Sequence, residues 1–66
     1  MKNRLKVARA EIDLTQEELA KRIGVSRQTI NAVESGRYVP STVLALKMSQ
    51  VFGKSVEEIF FLEETD

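Results

Sequence analysis

The stretch TQEELAKRIGVSRQTINAVE, residues 15–34, decides the fold of this 66-residue chain. Thr15 is a favourable N-cap residue, and Glu18 three positions later completes a capping box of the S/T-x-x-E type. The pattern therefore predicts a helix that begins at Gln16. Gly24 suits the left-handed conformation in which helices commonly end, so this helix is expected to be short.

A second helix is predicted directly after the first. Ser26 is a favourable N-cap, and Gly36 marks the end of the helix. Ile30 points inward and holds the second helix on the first, where the small side chain of Ala20 lets the two backbones approach. Two short helices joined by a glycine-containing turn form a helix-turn-helix, here over about residues 16–35.

The remaining sequence predicts three more helices with short connections. A first helix covers about residues 3–12, a fourth is capped by Ser41 and ends near Gly53, and Ser55 with Glu58 forms a second capping box that opens a short fifth helix. The residues of the first helix expected to face the core are Leu5, Ala8 and Ile12. We therefore predict an all-α fold of five helices in a single domain, residues 1–66.

The tail, residues 60–66, begins with three apolar residues, which are Phe60, Phe61 and Leu62. All three cannot face inward from a helix of about five residues. One interpretation is a frayed terminus with stray apolar side chains. The other, which we favour, is an extended tail whose three apolar residues form part of a dimer interface. A short pairing of this tail with residues 1–3 is compatible with the second interpretation.

The charges of the chain cancel overall but are unevenly distributed. Ten Lys and Arg residues balance ten Asp and Glu residues. Residues 1–37 hold eight basic and five acidic residues, whereas residues 38–66 hold two basic and five acidic ones. A basic front half can present a cationic face to phosphate groups. Clustering of ordinary surface charge explains the same asymmetry. The charge distribution alone therefore does not decide between a phosphate-binding face and an ordinary surface.

The composition argues against several classes of protein. The chain has no histidine and no cysteine, and it lacks a glycine-rich phosphate loop. We therefore expect no catalytic residue, no metal site, no cofactor and no small-molecule ligand. No apolar run approaches the roughly 20 residues of a membrane-spanning helix. The expectation is a soluble cytoplasmic protein without a membrane partner.

The whole chain resembles the small XRE/Cro–CI-type helix-turn-helix regulators of prokaryotes and phages, and most of all the minimal members of the cytolysin-operon repressor type. The segments that carry the resemblance are LTQEELAKRIGVSRQTINAVESGRYVPS, residues 14–41, and FGKSVEEIF, residues 52–60. The resemblance implies a lambda-repressor-like DNA-binding domain. Thr42 and Ser49 depart from the family pattern, since members commonly carry Leu or Ile at these places.

Three polar residues of the second motif helix are candidates for reading base edges: Arg27, Gln28 and Asn31. They fall on the face opposite Ile30. Arginine can bond guanine O6 and N7, and glutamine or asparagine can bond adenine N6 and N7. On the residues alone they are the solvated face of an amphipathic helix, and the resemblance is what favours a place in the major groove.

Further roles follow from the resemblance. The residues expected to contact the DNA backbone are Gln16, Ser26, Thr29, Arg37 and Tyr38. Glu34 leans toward the interior, where a lone carboxylate is unfavourable. Family members pair this glutamate with an arginine of the first helix, which corresponds here to Arg9.

The function implied by the resemblance is sequence-specific binding of double-stranded DNA. The expected regulator is a repressor that binds a palindromic operator as a homodimer. The alternative is a protein-interaction module or an antitoxin-like partner, which the apolar and acidic tail would serve. DNA binding weakens steeply with salt through counterion release, whereas an apolar protein contact does not.

Overall fold

The computed structural model describes residues 1–66 and consists of five helices and two short strands. In chain order they are β1 (Lys2–Asn3), α1 (Leu5–Glu11), α2 (Gln16–Ile23), α3 (Arg27–Glu34), α4 (Thr42–Phe52), α5 (Val56–Ile59) and β2 (Phe60–Phe61). The predicted five helices are confirmed, with α2 and α3 as the helix-turn-helix. None of them has both the length and the apolar character needed to cross a membrane.

Both predicted capping boxes are present. The Thr15 hydroxyl accepts from the Glu18 N–H at 3.0 Å, and the Glu18 carboxylate accepts from the Thr15 N–H at 2.9 Å. Ser55 and Glu58 repeat the arrangement at α5. Gly24 follows α2 at a φ of 78°, which a residue with a Cβ atom rarely adopts. Local side-chain chemistry therefore sets the ends of these helices.

One continuous core joins all five helices. Its fully enclosed members include Leu5 of α1, Leu19 of α2, Ile30 of α3, Met48 of α4 and Ile59 of α5. Burying an aliphatic side chain of this size contributes about 1.5–3 kcal/mol. This packing fixes α3 against α2 and leaves the opposite face of α3 in solvent.

The expected core position of Ile12 is wrong. α1 ends at Glu11, and Ile12 is 44% exposed. Asp13 then takes a left-handed backbone conformation with a φ of 53°, and the chain reverses there. Leu14 enters the core instead and is only 6% exposed. The hydrophobic contact at this corner therefore comes from the residue before the Thr15 cap.

The tail is extended, and β2 pairs with β1 in an antiparallel ladder. Lys2 lies opposite Phe61, and Asn3 lies opposite Phe60. Side chains alternate along a strand, so Phe60 turns inward and is 7% exposed, whereas Phe61 turns outward and is 37% exposed. Phe60 therefore packs mostly in the core of its own chain, and of the three apolar tail residues it offers the least exposed side chain to a dimer interface.

The ladder brings the two ends of the chain together. The Met1 ammonium lies 3.2 Å from carboxylate oxygens of both Glu63 and Asp66. Hydrogen bonding to these two carboxylates raises the pKa of the ammonium above 8.0. The pKa of Asp66 is lowered in turn, first by the backbone N–H of Glu63 and then by the ammonium.

Candidate nucleic-acid interface

The three candidate base-reading residues lie together on the solvent side of α3. Ile30 and Val33 are at most 1% exposed and bind α3 to the core. Arg27, Gln28 and Asn31 are exposed on the other side of the helix. They line an open groove of about 510 Å³, whose complete lining is Gln16, Arg27, Gln28, Asn31, Ala32 and Arg37. The structure thus brings together the three residues and two of the predicted backbone contacts.

The groove is cationic although the chain is neutral overall. Two arginines, Arg27 and Arg37, line it, and no carboxylate does. Its other polar groups are the side-chain amides of Gln16, Gln28 and Asn31. Clustered arginines without opposing acids attract phosphate groups. Arginines and amides are also the side chains that recognise base edges in pairs of hydrogen bonds.

Arg37 is held over the end of α3 by two side-chain contacts. Its Nη2 donates to Asn31 Oδ1 at 2.9 Å, and its Nε donates to Ser35 Oγ at 2.9 Å. The amide oxygen of Asn31 therefore has a partner within the chain, while its NH2 group is free to donate into the groove. The sequence alone does not indicate this contact.

Behind the groove, Arg9 and Glu34 form the ion pair that the resemblance implied. Arg9 Nε donates to one carboxylate oxygen of Glu34, and Nη2 donates to the other at 3.1 Å. The remaining donor, Nη1, bonds the carbonyl of Leu14 at 2.8 Å. Only 14% of the Arg9 side chain and 7% of the Glu34 side chain are exposed. This two-pronged pair holds α1 against the end of α3.

Gln16 joins the same network. Its Nε2 donates to Glu34 Oε1 at 3.1 Å, which connects the first residue of α2 to the last residue of α3. Nothing in the spacing of these two residues indicated this bond. Its effect is to fix the position of the Gln16 amide at the edge of the groove.

The other three predicted backbone contacts lie outside the lining of the groove. Ser26 caps α3 by accepting from the Thr29 N–H at 3.1 Å, and the two hydroxyls are hydrogen-bonded to each other at 3.0 Å. Tyr38 follows Arg37 in the loop after α3, and its side chain is 47% exposed. Ser26 and Thr29 thus mark one end of α3, and Tyr38 lies beyond the other.

Comparison with known proteins identifies the family. Residues 5–59 match the family model described as helix-turn-helix. Over all 66 residues the chain is 54% identical to an uncharacterized HTH-type transcriptional regulator of Methanocaldococcus jannaschii, and both chains are covered in full. It is 33% identical over 64 residues to the cryptic phage CTXphi transcriptional repressor RstR of Vibrio cholerae. This alignment covers 97% of this chain and 58% of that protein.

A solved structure agrees with these matches. The restriction-modification controller protein C.AhdI from Aeromonas hydrophila superposes with a TM-score of 0.77 at 32% identity, covering 85% of each chain. Both the sequence and the arrangement of the helices thus point to the same kind of protein. The chain belongs to the XRE-type helix-turn-helix family of DNA-binding transcriptional regulators.

Proposed function

We propose that this protein is a cytoplasmic, sequence-specific repressor that binds a palindromic operator in double-stranded DNA as a homodimer. The observation that carries the proposal is the groove on α3, in which Arg27, Gln28, Asn31 and Arg37 converge without a carboxylate. α3 is the recognition helix of this proposal. An α-helix is about 10–12 Å wide with its side chains, which fits a major groove of about 12 Å.

The base edges would be read from the start and middle of α3. Arg27 is the first residue of the helix, followed by Gln28, and Asn31 lies one turn further on. A recognition helix contacts bases mostly through its N-terminal residues. Arg27 would therefore bond a guanine, and the two amides would bond neighbouring base pairs.

The phosphate contacts would come from both sides of this helix. Gln16 stands at the N-terminus of α2, where the backbone N–H groups of the first turn favour an anion. Arg37 and Tyr38 follow α3 and would reach the backbone on its other side. The hydroxyls of Ser26 and Thr29 would add contacts at the start of α3. Such contacts orient the protein on DNA but do not read its sequence.

Repression is the regulatory outcome that we propose. RstR, a relative over almost the whole of this chain, is named a transcriptional repressor. The described residues form one small domain whose candidate functional surface is the DNA-facing groove. A repressor can act by occupying promoter DNA, which requires only a DNA-binding surface. A palindromic site would be bound by two copies, with their recognition helices about 34 Å apart in successive major grooves.

The proposal is tested by fluorescence anisotropy with a duplex of about 30 bp, roughly three helical turns, taken from upstream of the gene. A shuffled duplex is the control, and both are titrated at low and moderate salt. Tight, salt-sensitive binding with preference for the native duplex supports a self-regulating repressor. Arg27→Ala should weaken that preference, whereas Lys6→Ala, which removes the same charge from an exposed position outside the groove, should leave it unchanged.

The alternative is a protein-interaction module, which the acidic tail and the exposed Leu62 favour. Absence of binding to either duplex at low salt would support this alternative and overturn the DNA-binding proposal. Equal binding of both duplexes would contradict readout of this operator and leave only backbone contacts.

A further inference from the structure

A cluster of exposed apolar side chains lies on and beside α4, away from the tail. Val39, in the loop after α3, is 62% exposed, and on α4 Val43 is 63% and Leu46 is 53% exposed. Val43 and Leu46 are three residues apart and so adjoin on the helix surface. We call these three residues the α4 patch. Exposed apolar groups that adjoin in this way are typical of interaction sites.

A groove whose lining side chains are all uncharged runs beside the α4 patch. It has a volume of about 220 Å³, and its lining is Met1, Val39, Pro40, Ser41, Thr42, Ala45, Leu46, Val56 and Phe60. None of these nine side chains is charged. Depletion of charged residues distinguishes the centre of a protein interface from the rest of a surface.

From these features we infer that a second copy of this chain docks on the α4 patch, so that Val43 and Leu46 of each copy enter the groove of the other. The inference rests on the proposed function, because it names the surface through which the proposed homodimer would form. An interface with two-fold symmetry uses the same patch on both copies. A patch that combines protruding apolar side chains with an apolar groove is complementary to itself.

The position of the α4 patch relative to the DNA-facing groove selects a second copy as its occupant. Arg37 lines the groove on α3, and Val39 lines the apolar groove. Two residues span at most about 7 Å between Cα atoms. The α4 patch therefore adjoins the DNA-facing groove, and a second copy docked there would bring its own α3 close to the same duplex.

The size of the molecule agrees with direct contact at this place. Its extents are 32 × 22 × 20 Å. Half-sites in successive major grooves are about 34–36 Å apart. Two molecules whose longest axes lie along the duplex would touch side by side at this spacing. The edge of the DNA-facing surface is therefore where the two copies should meet.

The tail is the weaker candidate for the interface. Phe61 is only 37% exposed, and the Arg4 guanidinium carbon lies 5.6 Å from the centre of its ring. Leu62 is exposed, but the shallow groove beside it is lined by Lys2, Glu63, Glu64 and Thr65. A two-fold contact through this region would bring the acidic groups of both copies together.

The test compares Leu46→Glu with the matched control Leu62→Glu by sedimentation equilibrium over a range of concentrations. For the wild type we expect the mass of two copies of the 7.5 kDa chain. Leu46→Glu should raise the dimer dissociation constant at least about tenfold, as expected for a residue near the centre of an interface. Leu62→Glu should leave that constant unchanged. Circular dichroism confirms folding, and Val39→Asp, in a loop, serves as the second variant if Leu46→Glu unfolds.

Binding to a half-site duplex separates this inference from the proposed function. A folded Leu46→Glu monomer should bind one half-site as the wild type does and lose the preference for the palindrome. A wild type that binds no DNA but whose dimer dissociates in Leu46→Glu would refute the DNA proposal and keep the inferred interface. An unchanged dimer in Leu46→Glu, dissociation in Leu62→Glu, or a wild type that is monomeric throughout would overturn the interface. So would a wild type that associates only with a different protein.

Discussion

Arg37 and Asn31 are hydrogen-bonded across the C-terminal half of α3, with Arg37 Nη2 donating to Asn31 Oδ1 at 2.9 Å. This bond orients the side-chain amide of Asn31. Its oxygen faces the arginine, and its NH2 group faces the groove as a donor. A donor alone can bond guanine N7 or O6, adenine N7 or thymine O4, whereas the bidentate contact that is specific for adenine also needs the amide oxygen to accept from N6.

The first prediction concerns this bond. Arg37→Lys keeps the positive charge but loses the planar guanidinium group, which donates to both Asn31 and Ser35. We expect the salt dependence of DNA binding to stay the same, while the base preference at the pair contacted by Asn31 changes. Anisotropy titrations against duplexes with single base-pair changes measure both quantities. An unaltered preference in Arg37→Lys would show that Arg37 does not orient Asn31.

The second prediction is the effect of removing Arg27, the first residue of α3. Arg27→Ala should weaken binding by about 1–3 kcal/mol and relax discrimination at one base-pair position, because a bidentate arginine contact to guanine is lost. Anisotropy titrations against the same duplexes with single base-pair changes measure this loss of binding free energy. An equal loss on every duplex would instead identify Arg27 as a phosphate contact.

The third prediction concerns the stability of the ion pair behind the groove. Arg9→Met leaves the Glu34 carboxylate, whose side chain is 7% exposed, without its main partner. Removing one partner of a buried ion pair lowers the free energy of unfolding by about 3–5 kcal/mol. We expect a loss at the lower end of this range, because 14% of the Arg9 side chain is exposed. Urea denaturation followed by circular dichroism measures this loss.

Adding Glu34→Leu to Arg9→Met is the matched control, since it removes the unpaired charge. The double variant should recover most of the lost stability. It should also bind DNA less well than the wild type, because Gln16 loses the carboxylate that positions its amide. If the single and double variants were equally destabilised, packing rather than charge would explain the loss.

The fourth prediction is a dependence of stability on acid pH that arises from the capping boxes. Hydrogen bonds from the backbone N–H and the side chain of Thr15 lower the pKa of Glu18 below 4.5, and Ser55 does the same for Glu58. Because these pKa values are lower in the folded chain, the stability that both carboxylates contribute is fully present above about pH 4.5. It is lost as the pH falls through the folded-state values.

Urea midpoints between pH 3 and pH 6 test this dependence. Glu18→Gln keeps a hydrogen-bond acceptor but cannot titrate, so its midpoint should fall less steeply on the acid side than that of the wild type. Glu64→Gln, at an exposed tail position outside both boxes, is the control and should follow the wild-type curve. Parallel curves for Glu18→Gln and the wild type would exclude the capping carboxylate as a source of the acid sensitivity.

Local chemistry explains which features the sequence could predict. The ends of α2 and α5 follow from residues three apart, such as Thr15 and Glu18, whose bonds form within one turn. The inward position of Leu14 also follows locally, because the residue before an N-cap commonly packs as a hydrophobic staple on the helix, here on Leu19. The exposure of Ile12 depends on the end of α1 at Glu11 and the left-handed Asp13, which the periodicity of α1 does not contain. The inward position of Phe60 depends on a strand partner at Asn3, far away in the chain.

The same distinction holds for the site. The exposed face of α3 follows from helical periodicity, so Arg27, Gln28 and Asn31 could be placed together from the sequence. The bonds of Gln16 to Glu34 and of Arg37 to Asn31 depend on how the two motif helices and the following loop are arranged. The family resemblance supplied the partner of Glu34, because residues 25 positions apart have no common period that could have indicated it.

The antiparallel ladder between β1 and β2 also has a consequence for biosynthesis. The Arg4 N–H donates to the Ile59 carbonyl at 2.7 Å, and Ile59 and Phe60 complete the core that the helix-turn-helix needs. Contacts between residues this far apart in the chain form only after a long loop closes. A nascent chain on the ribosome therefore carries the whole of α3 before it has a complete core. The groove on α3 gains the support of that core only after residue 60 has been synthesised.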